Sequence, residues 1–257
     1  MDFSLTGEQH VIAETFDRFC DKELNYDYVR WMDENVDFPP DELWTKLADL
    51  GLFAATVPAE YGGQGLGLLD SMIAYEQICK RSMSVALAVG ATTGFGTRFL
   101  AELGTAEQKQ RYLPRLAEGR LRTAMALTEP GGGTDILGAL STSAEDTGDS
   151  WVINGTKMFT TGAHAADLIF TVCRTERDAR RSESWSTIML PRQTEGVTMR
   201  PVEKISCHHC GSFEISLDNV VVPKENLIGT RGQAYREIIG VEDDPRLRRG
   251  RNPALRR

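Results

Sequence analysis

The sequence predicts an α+β chain: an all-α helical domain over residues 1–121, then a small β-barrel or sandwich over residues 122–231. Two observations carry that reading. Apolar residues recur at helical spacing, with capping signals, as far as about Gly119. After Arg120 the period shortens to that of strands, and many short apolar runs follow one another between turn residues.

The elements follow in order. Thr6 stands three residues before Gln9, a capping box that opens a helix with Ile12, Phe16 and Phe19 on one face. Pro39 and Pro40 start a second helix, with Leu43, Leu47 and Leu50 at helical spacing and Gly51 closing it. Residues 57–67 read as a loop, since Gly62, Gly63, Gly65 and Gly67 would break either regular structure. A third helix is expected over 69–81. A fourth, unusually apolar, runs through Val85, Leu87 and Val89 towards Leu103. Thr105 and Gln108 repeat the capping box before a last helix that ends near Gly119, with a kink expected at Pro114. Strands are expected at 123–127, 142–144, 151–153, 157–160, 168–173, 187–190, 197–201 and 213–221. Asn154-Gly155 has the chemistry of a two-residue hairpin turn. The charged run 175–184 reads as an exposed loop.

Bulk composition excludes several classes of function. A net charge of −8 argues against sequence-independent nucleic-acid binding, which needs a basic surface. No apolar run approaches the roughly 20 residues needed to cross a bilayer. Five cysteines, an odd number, follow a polar N-terminus without signal-peptide character, so reduced thiols in the cytoplasm are expected. The quartet Cys207-His208-His209-Cys210 tempts a zinc assignment. Four consecutive residues cannot all converge on one tetrahedral ion, and no second pair completes a site, so no metal is expected. The quartet reads instead as a turn before a strand, with His209 facing a substrate channel as an alternative.

Two segments carry the chemistry. Residues 126–135, ALTEPGGGTD, end an apolar strand and place three glycines before Thr134; residues 154–162, NGTKMFTTG, add a second strand rich in hydroxyls. Glycines in series permit positive φ and leave N–H groups free to face phosphate oxygens, although they would serve an ordinary β-turn equally well.

Taken together, the segments resemble the acyl-CoA dehydrogenase family of flavoproteins. Leu127, Thr128, Glu129, Pro130, Gly132, Gly133, Thr134 and Asp135 match its first motif. Asn154, Gly155, Lys157, Phe159, Thr160 and Thr161 match its second, and residues 204–229 look like the lysine-led exit from its middle domain. The resemblance covers about residues 3–240 and implies FAD as cofactor. It places Met125, Leu127 and Thr128 along the pyrimidine edge of the flavin, with the Thr128 hydroxyl near N1 or O2. Gly133 and Thr134 would lie near the pyrophosphate or the substrate thioester. Phe159 would stand beside the ring in place of a frequent tryptophan, Thr161 would hydrogen-bond near N5, and Thr160 would belong to the same cofactor-binding set.

By the same resemblance the reaction is α,β-dehydrogenation of an acyl-CoA, with electrons passed to an electron-transfer flavoprotein and with homo-oligomers among full-length relatives. No catalytic base is assigned. The family carries it on a C-terminal four-helix bundle, and the sequence reads as truncated before that bundle, so impaired catalysis is expected. Glu129 reads as structural, and Glu237, Glu242, Asp243 and Asp244 match no base motif. Residues 232–257 read as the start of that bundle followed by an aberrant tail. The segment 241–257 holds six arginines and no lysine, as an unfolded tail or an out-of-frame translation would. A non-catalytic remnant or partner-binding module lacking tight FAD binding is the alternative in another class; an oxidase or monooxygenase on the same scaffold is a third.

Overall fold

The structure, a computed structural model, describes residues 4–239; the arginine-rich segment lies outside them. The chain starts as the sequence implies. Thr6 accepts from Gln9 N while the Gln9 side chain returns the bond, opening helix α1 (Gly7–Glu23). Next comes α2 (Tyr26–Asn35), capped by Asn25, which the sequence reading missed. It buries Met32 fully and packs Tyr28 and Val29 partly against the helical core. Helix α3 (Asp41–Asp49) follows Pro40, and Gly51 closes it at φ +85°. The glycine-rich loop contains a single 3-10 turn, Ala59–Tyr61.

Helix α4 (Leu68–Arg81) leads to α5 (Met83–Gly90). The expected fourth helix is one helical run in three pieces: α5, a π-helical segment Ala91–Thr97, and α6 (Arg98–Leu103). Gly94 and Gly96 fall in the wide segment, where glycine weakens the ordinary ladder. Gly96 lets it approach Thr123, and Thr92 Oγ1 accepts from Thr123 N at 3.0 Å. Helix α7 (Ala106–Ala117) has the second capping box, and Pro114 lies inside it. Gln108 does double duty: its amide nitrogen also donates to Glu225 O and Leu227 O at 2.8 and 2.9 Å.

Among the described residues eight strands follow: β1 (Thr123–Ala126), β2 (Ser143–Asp146), β3 (Ser150–Thr161), β4 (Leu168–Arg174), β5 (Trp185–Pro191), β6 (Val197–Pro201), β7 (Ser212–Pro223) and β8 (Leu227–Ile228). Short helices α8 (Ile136–Ala139) and α9 (Ala234–Ile239) flank them. The strands form one mixed sheet in the order β6-β7-β3-β2-β4-β5-β8, with β1 paired parallel to β4. Its core gathers Ala124, Ala126, Trp151, Ile153, Ile169, Ile188, Ile215 and Val220.

The expected hairpin at Asn154-Gly155 is a correction. β3 is a single twelve-residue strand, and the turn from β2 lies at residues 147–149. Gly155 sits at a register shift with φ +150°, and a Cβ there would come within 2.6 Å of Thr142 Cα. Glycine at this position serves close backbone approach at a bulge.

The two halves meet over a third cluster. Phe99, Leu100, Leu113 and Leu116 of the helices pack on Leu168, Phe170 and Met189 of the sheet and on Ile228. Burying each such side chain contributes about 1.5–3 kcal/mol. No helix among the described residues is long and apolar enough to cross a membrane.

Candidate functional site

The site is built where β1 runs out and β3 bulges. Ala124 and Ala126 of β1 face the sheet core, so Met125 and Leu127 face the other way and pack with Leu140, Val172, Trp185 and Ala234. Met125 and Leu127 are thus half-buried in packing. Thr128 is next along the chain. Its carbonyl accepts from Met158 N at 2.8 Å, which brings the two motif segments into direct contact.

An ion pair locks that junction. Lys157 Nζ donates to Glu129 Oε1 at 2.7 Å and to Leu127 O at 3.2 Å, with side-chain exposures of 0% and 2% for Lys157 and Glu129. The other Glu129 oxygen accepts from Ser141 N and Ser141 Oγ at 2.7 and 2.6 Å, and Thr142 N donates to Oε1 at 3.0 Å. Burial acts to raise the Glu129 carboxyl, but the Lys157 charge and these hydrogen bonds outweigh it, so Glu129 titrates below the ordinary 4.5. Glu129 is therefore the structural carboxylate expected from the sequence, with every acceptor direction occupied. The Lys157 partner was not foreseen, although opposite charges inside two otherwise apolar motifs were a visible signal.

Beyond Lys157 the β3 ladder with β7 shifts register, and Phe159 takes φ +57° with its ring 60% exposed. A non-glycine residue in this region costs about 1–3 kcal/mol and is held only where its surroundings impose it. Thr160 turns inward, with a buried Oγ1 that has no hydrogen-bond partner, and Thr161 is half-buried. On the facing loop, Gly132 packs so tightly on Ala139 that a Cβ would collide, whereas Gly131 and Gly133 have open space around them. Gly133 and Thr134 are exposed, and Gly133 joins Leu127, Thr128 and Ile136 in lining a small pocket; Thr134 lies outside it.

These residues fit a flavin. The donor set is neutral, an apolar ring is held out into solvent by strained backbone, and the glycine loop leaves its main chain open.

The Cys207–Cys210 quartet folds as the expected turn, with Cys210 N donating to Cys207 O at 3.2 Å. His209 is buried between the two halves of the chain and lines a cavity with Arg81, Ser82 and Asp33. Its Nδ1 lies 3.1 Å from Asp33 Oδ1 and its Nε2 lies 2.9 Å from Ser82 Oγ, the N-cap of α5. His208 Nδ1 lies 2.9 Å from Asp33 Oδ2, and His208 N donates to the same carboxylate. Sequence spacing could not foresee a contact spanning about 175 residues. Among the described residues, no group of three or more His, Cys, Asp or Glu is placed to hold a metal ion.

A helical domain docked on a β-domain that presents hydroxyls, glycines and an exposed ring defines a class of cofactor-binding chain. Residues 6–120 match the family description "Acyl-CoA dehydrogenase, N-terminal domain", and residues 124–220 match "Acyl-CoA dehydrogenase, middle domain". The chain belongs to the acyl-CoA dehydrogenase family. It is 31% identical to a glutaryl-CoA dehydrogenase of Desulfococcus multivorans over 96% of its own length and 64% of that relative's. An acyl-CoA dehydrogenase structure from Geobacillus kaustophilus superposes with a TM-score of 0.86 at 31% identity, over 93% of this chain and 63% of that one. An acyl-CoA dehydrogenase complexed with FAD from Bacillus anthracis superposes at 0.81 and 31% identity, over 93% and 40%. The chain thus spans less than two thirds of the length of these relatives.

Proposed function

We propose that this chain forms the flavin-facing wall of an FAD-dependent acyl-CoA dehydrogenase. The observation that carries this reading is the Met158–Thr128 hydrogen bond, which sets both motif segments side by side. When bound, FAD supplies the two-electron acceptor for oxidising the Cα–Cβ bond of an acyl thioester.

The chain's own residues hold and orient. Thr128 and Thr161 offer hydroxyls to the ring's polar edge, and Phe159 offers an apolar face. Gly131 and Gly133 offer main chain to the phosphates, and Thr134 is placed on the same exposed loop to meet the thioester end. Neutral donors suit the task, because they stabilise charge that arrives on the ring without repelling hydride. Glu129 does not take the substrate α-proton in this reading, since Lys157, Ser141 and Thr142 occupy it. An acyl-CoA is the substrate class, and an electron-transfer flavoprotein is the acceptor proposed from the family.

One observation favours a second reading, a module that works through partner contact. Leu68, Leu69, Met72, Met83, Leu87 and Phe95 are all exposed along α4, α5 and the π-helical segment. The test separating the two is optical. A flavin absorption band on the purified chain, bleached by an acyl-CoA without oxygen, supports the enzyme reading. A colourless chain indifferent to acyl-CoA supports the module.

A further inference from the structure

The turn at Cys207–Cys210 is not used by the flavin site, and its chemistry points elsewhere. We propose that Cys207 and Cys210 are a redox-active dithiol, which closes to a disulfide by exchange with a small-molecule disulfide.

Cys210 N donates to Cys207 O at 3.2 Å, so the pair occupies the first and last positions of a hydrogen-bonded turn. Such a turn holds the two Cα atoms within about 7 Å, and disulfides span roughly 4.4–6.8 Å. Cys207 adopts φ +57° in this turn. The Lys204 ammonium clamps the turn from one side, donating to Cys207 O and to Cys210 O at 2.7 Å each. From the other side, Asp33 holds both intervening histidines.

The two thiols are unequal. Cys207 is half-buried and open to attack on a solute, next to exposed His208. Cys210 is 2% exposed, and burial pushes its thiol up to about 11, with the Lys204 charge opposing. An accessible attacking sulfur beside a buried, protonated resolving sulfur is the division of labour that exchange requires. In the first step, the Cys207 thiolate attacks one sulfur of the solute disulfide; a mixed disulfide forms, and one solute thiolate leaves. In the second, Cys210 attacks Cys207 Sγ and expels the second solute thiolate, which takes up the proton that Cys210 gives up. The protein pair is oxidised by two electrons, and one solute disulfide becomes two thiols. Because the turn carries His208 and His209 onto Asp33, oxidation would fasten the contact between the helices and the sheet.

The experiment uses the full chain in its native state with glutathione disulfide, oxygen excluded, then acid quenching, denaturation and alkylation. The expected product has lost two hydrogens, keeps three of its five cysteines alkylatable, and carries its link inside the peptide 205–224. Cys210→Ser should stop at a glutathione adduct on Cys207, and Cys207→Ser should give no adduct on Cys210. Five alkylated cysteines in the treated wild-type chain, a link between other cysteines, or equal reaction by Cys207→Ser would overturn the proposal.

Discussion

Lys157 donates to Glu129 across 2.7 Å with neither side chain exposed, and this bond helps tie the end of β1 to the bulge of β3. A buried pair is weak evidence of net stabilisation, but losing one partner leaves an uncompensated charge and costs about 3–5 kcal/mol. Glu129→Gln and Lys157→Met should each lose stability on that scale in chemical denaturation. The double variant should recover part of the loss, through a coupling term. Strictly additive losses would mean that the two side chains act independently.

The same carboxylate sets an acid limit. Its folded pKa lies below 4.5, so the folded state binds fewer protons there than the unfolded one. Its contribution is complete above 4.5 and is lost as pH falls through the folded value. Wild-type stability should therefore drop on that side, and Glu129→Gln should show a flatter acid limb. Parallel acid limbs in the two proteins would contradict this.

His208 and His209 should titrate on opposite sides of 6.5. Hydrogen bonds to Asp33 and to Lys204 O raise His208, whereas burial lowers His209, with Asp33 acting against that burial and His208 and Lys204 reinforcing it. His208 thus adds stability that is complete below 6.5 and is lost as pH rises through its folded value. The His209 contribution is present above 6.5 and is lost as pH falls through its folded value. NMR of the imidazole resonances should resolve two separated midpoints in that order; the reverse order would refute the assignment of Asp33 as their shared partner.

Gly155 separates the hairpin expectation from the bulge observed. Alanine there brings a Cβ to 2.6 Å from Thr142 Cα at a φ that L-residues avoid, and overpacking of this kind costs about 1–3 kcal/mol. An exposed turn position would tolerate the change. Thermal unfolding of Gly155→Ala decides between them.

Phe159→Ala should separate ligand affinity from folding. Its ring is 60% exposed, so stability should change by no more than about 0.5 kcal/mol. Loss of aromatic contact with a flavin should weaken FAD binding by about 0.5–1.5 kcal/mol, roughly two- to tenfold. Equal affinity in the two proteins would remove Phe159 from the site.

Much of the architecture was legible because its signals are local. Thr6 with Gln9, and Thr105 with Gln108, each announce a helix within four residues, and both boxes form as read. The switch to short strands after Arg120 is equally local. Asn154-Gly155 misled because the same dipeptide serves a hairpin turn and a bulge, and only the proximity of Thr142 decides between them. Helix α2 escaped because its short stripe of Tyr28, Val29 and Met32 is interleaved with charged residues. At the candidate site the motif residues Thr128 and Lys157 were visible, but that Lys157 finds Glu129, and that Asp33 finds His208 and His209, depends on how distant segments fold together.

The most direct test of the central claim is titration of the purified chain with FAD, followed by quenching of flavin fluorescence, for the wild type, Thr128→Val and Phe159→Ala. Saturable one-to-one binding by the wild type and weaker binding by both variants are expected, with circular dichroism unchanged. No saturable binding, or binding that neither substitution weakens, would contradict it.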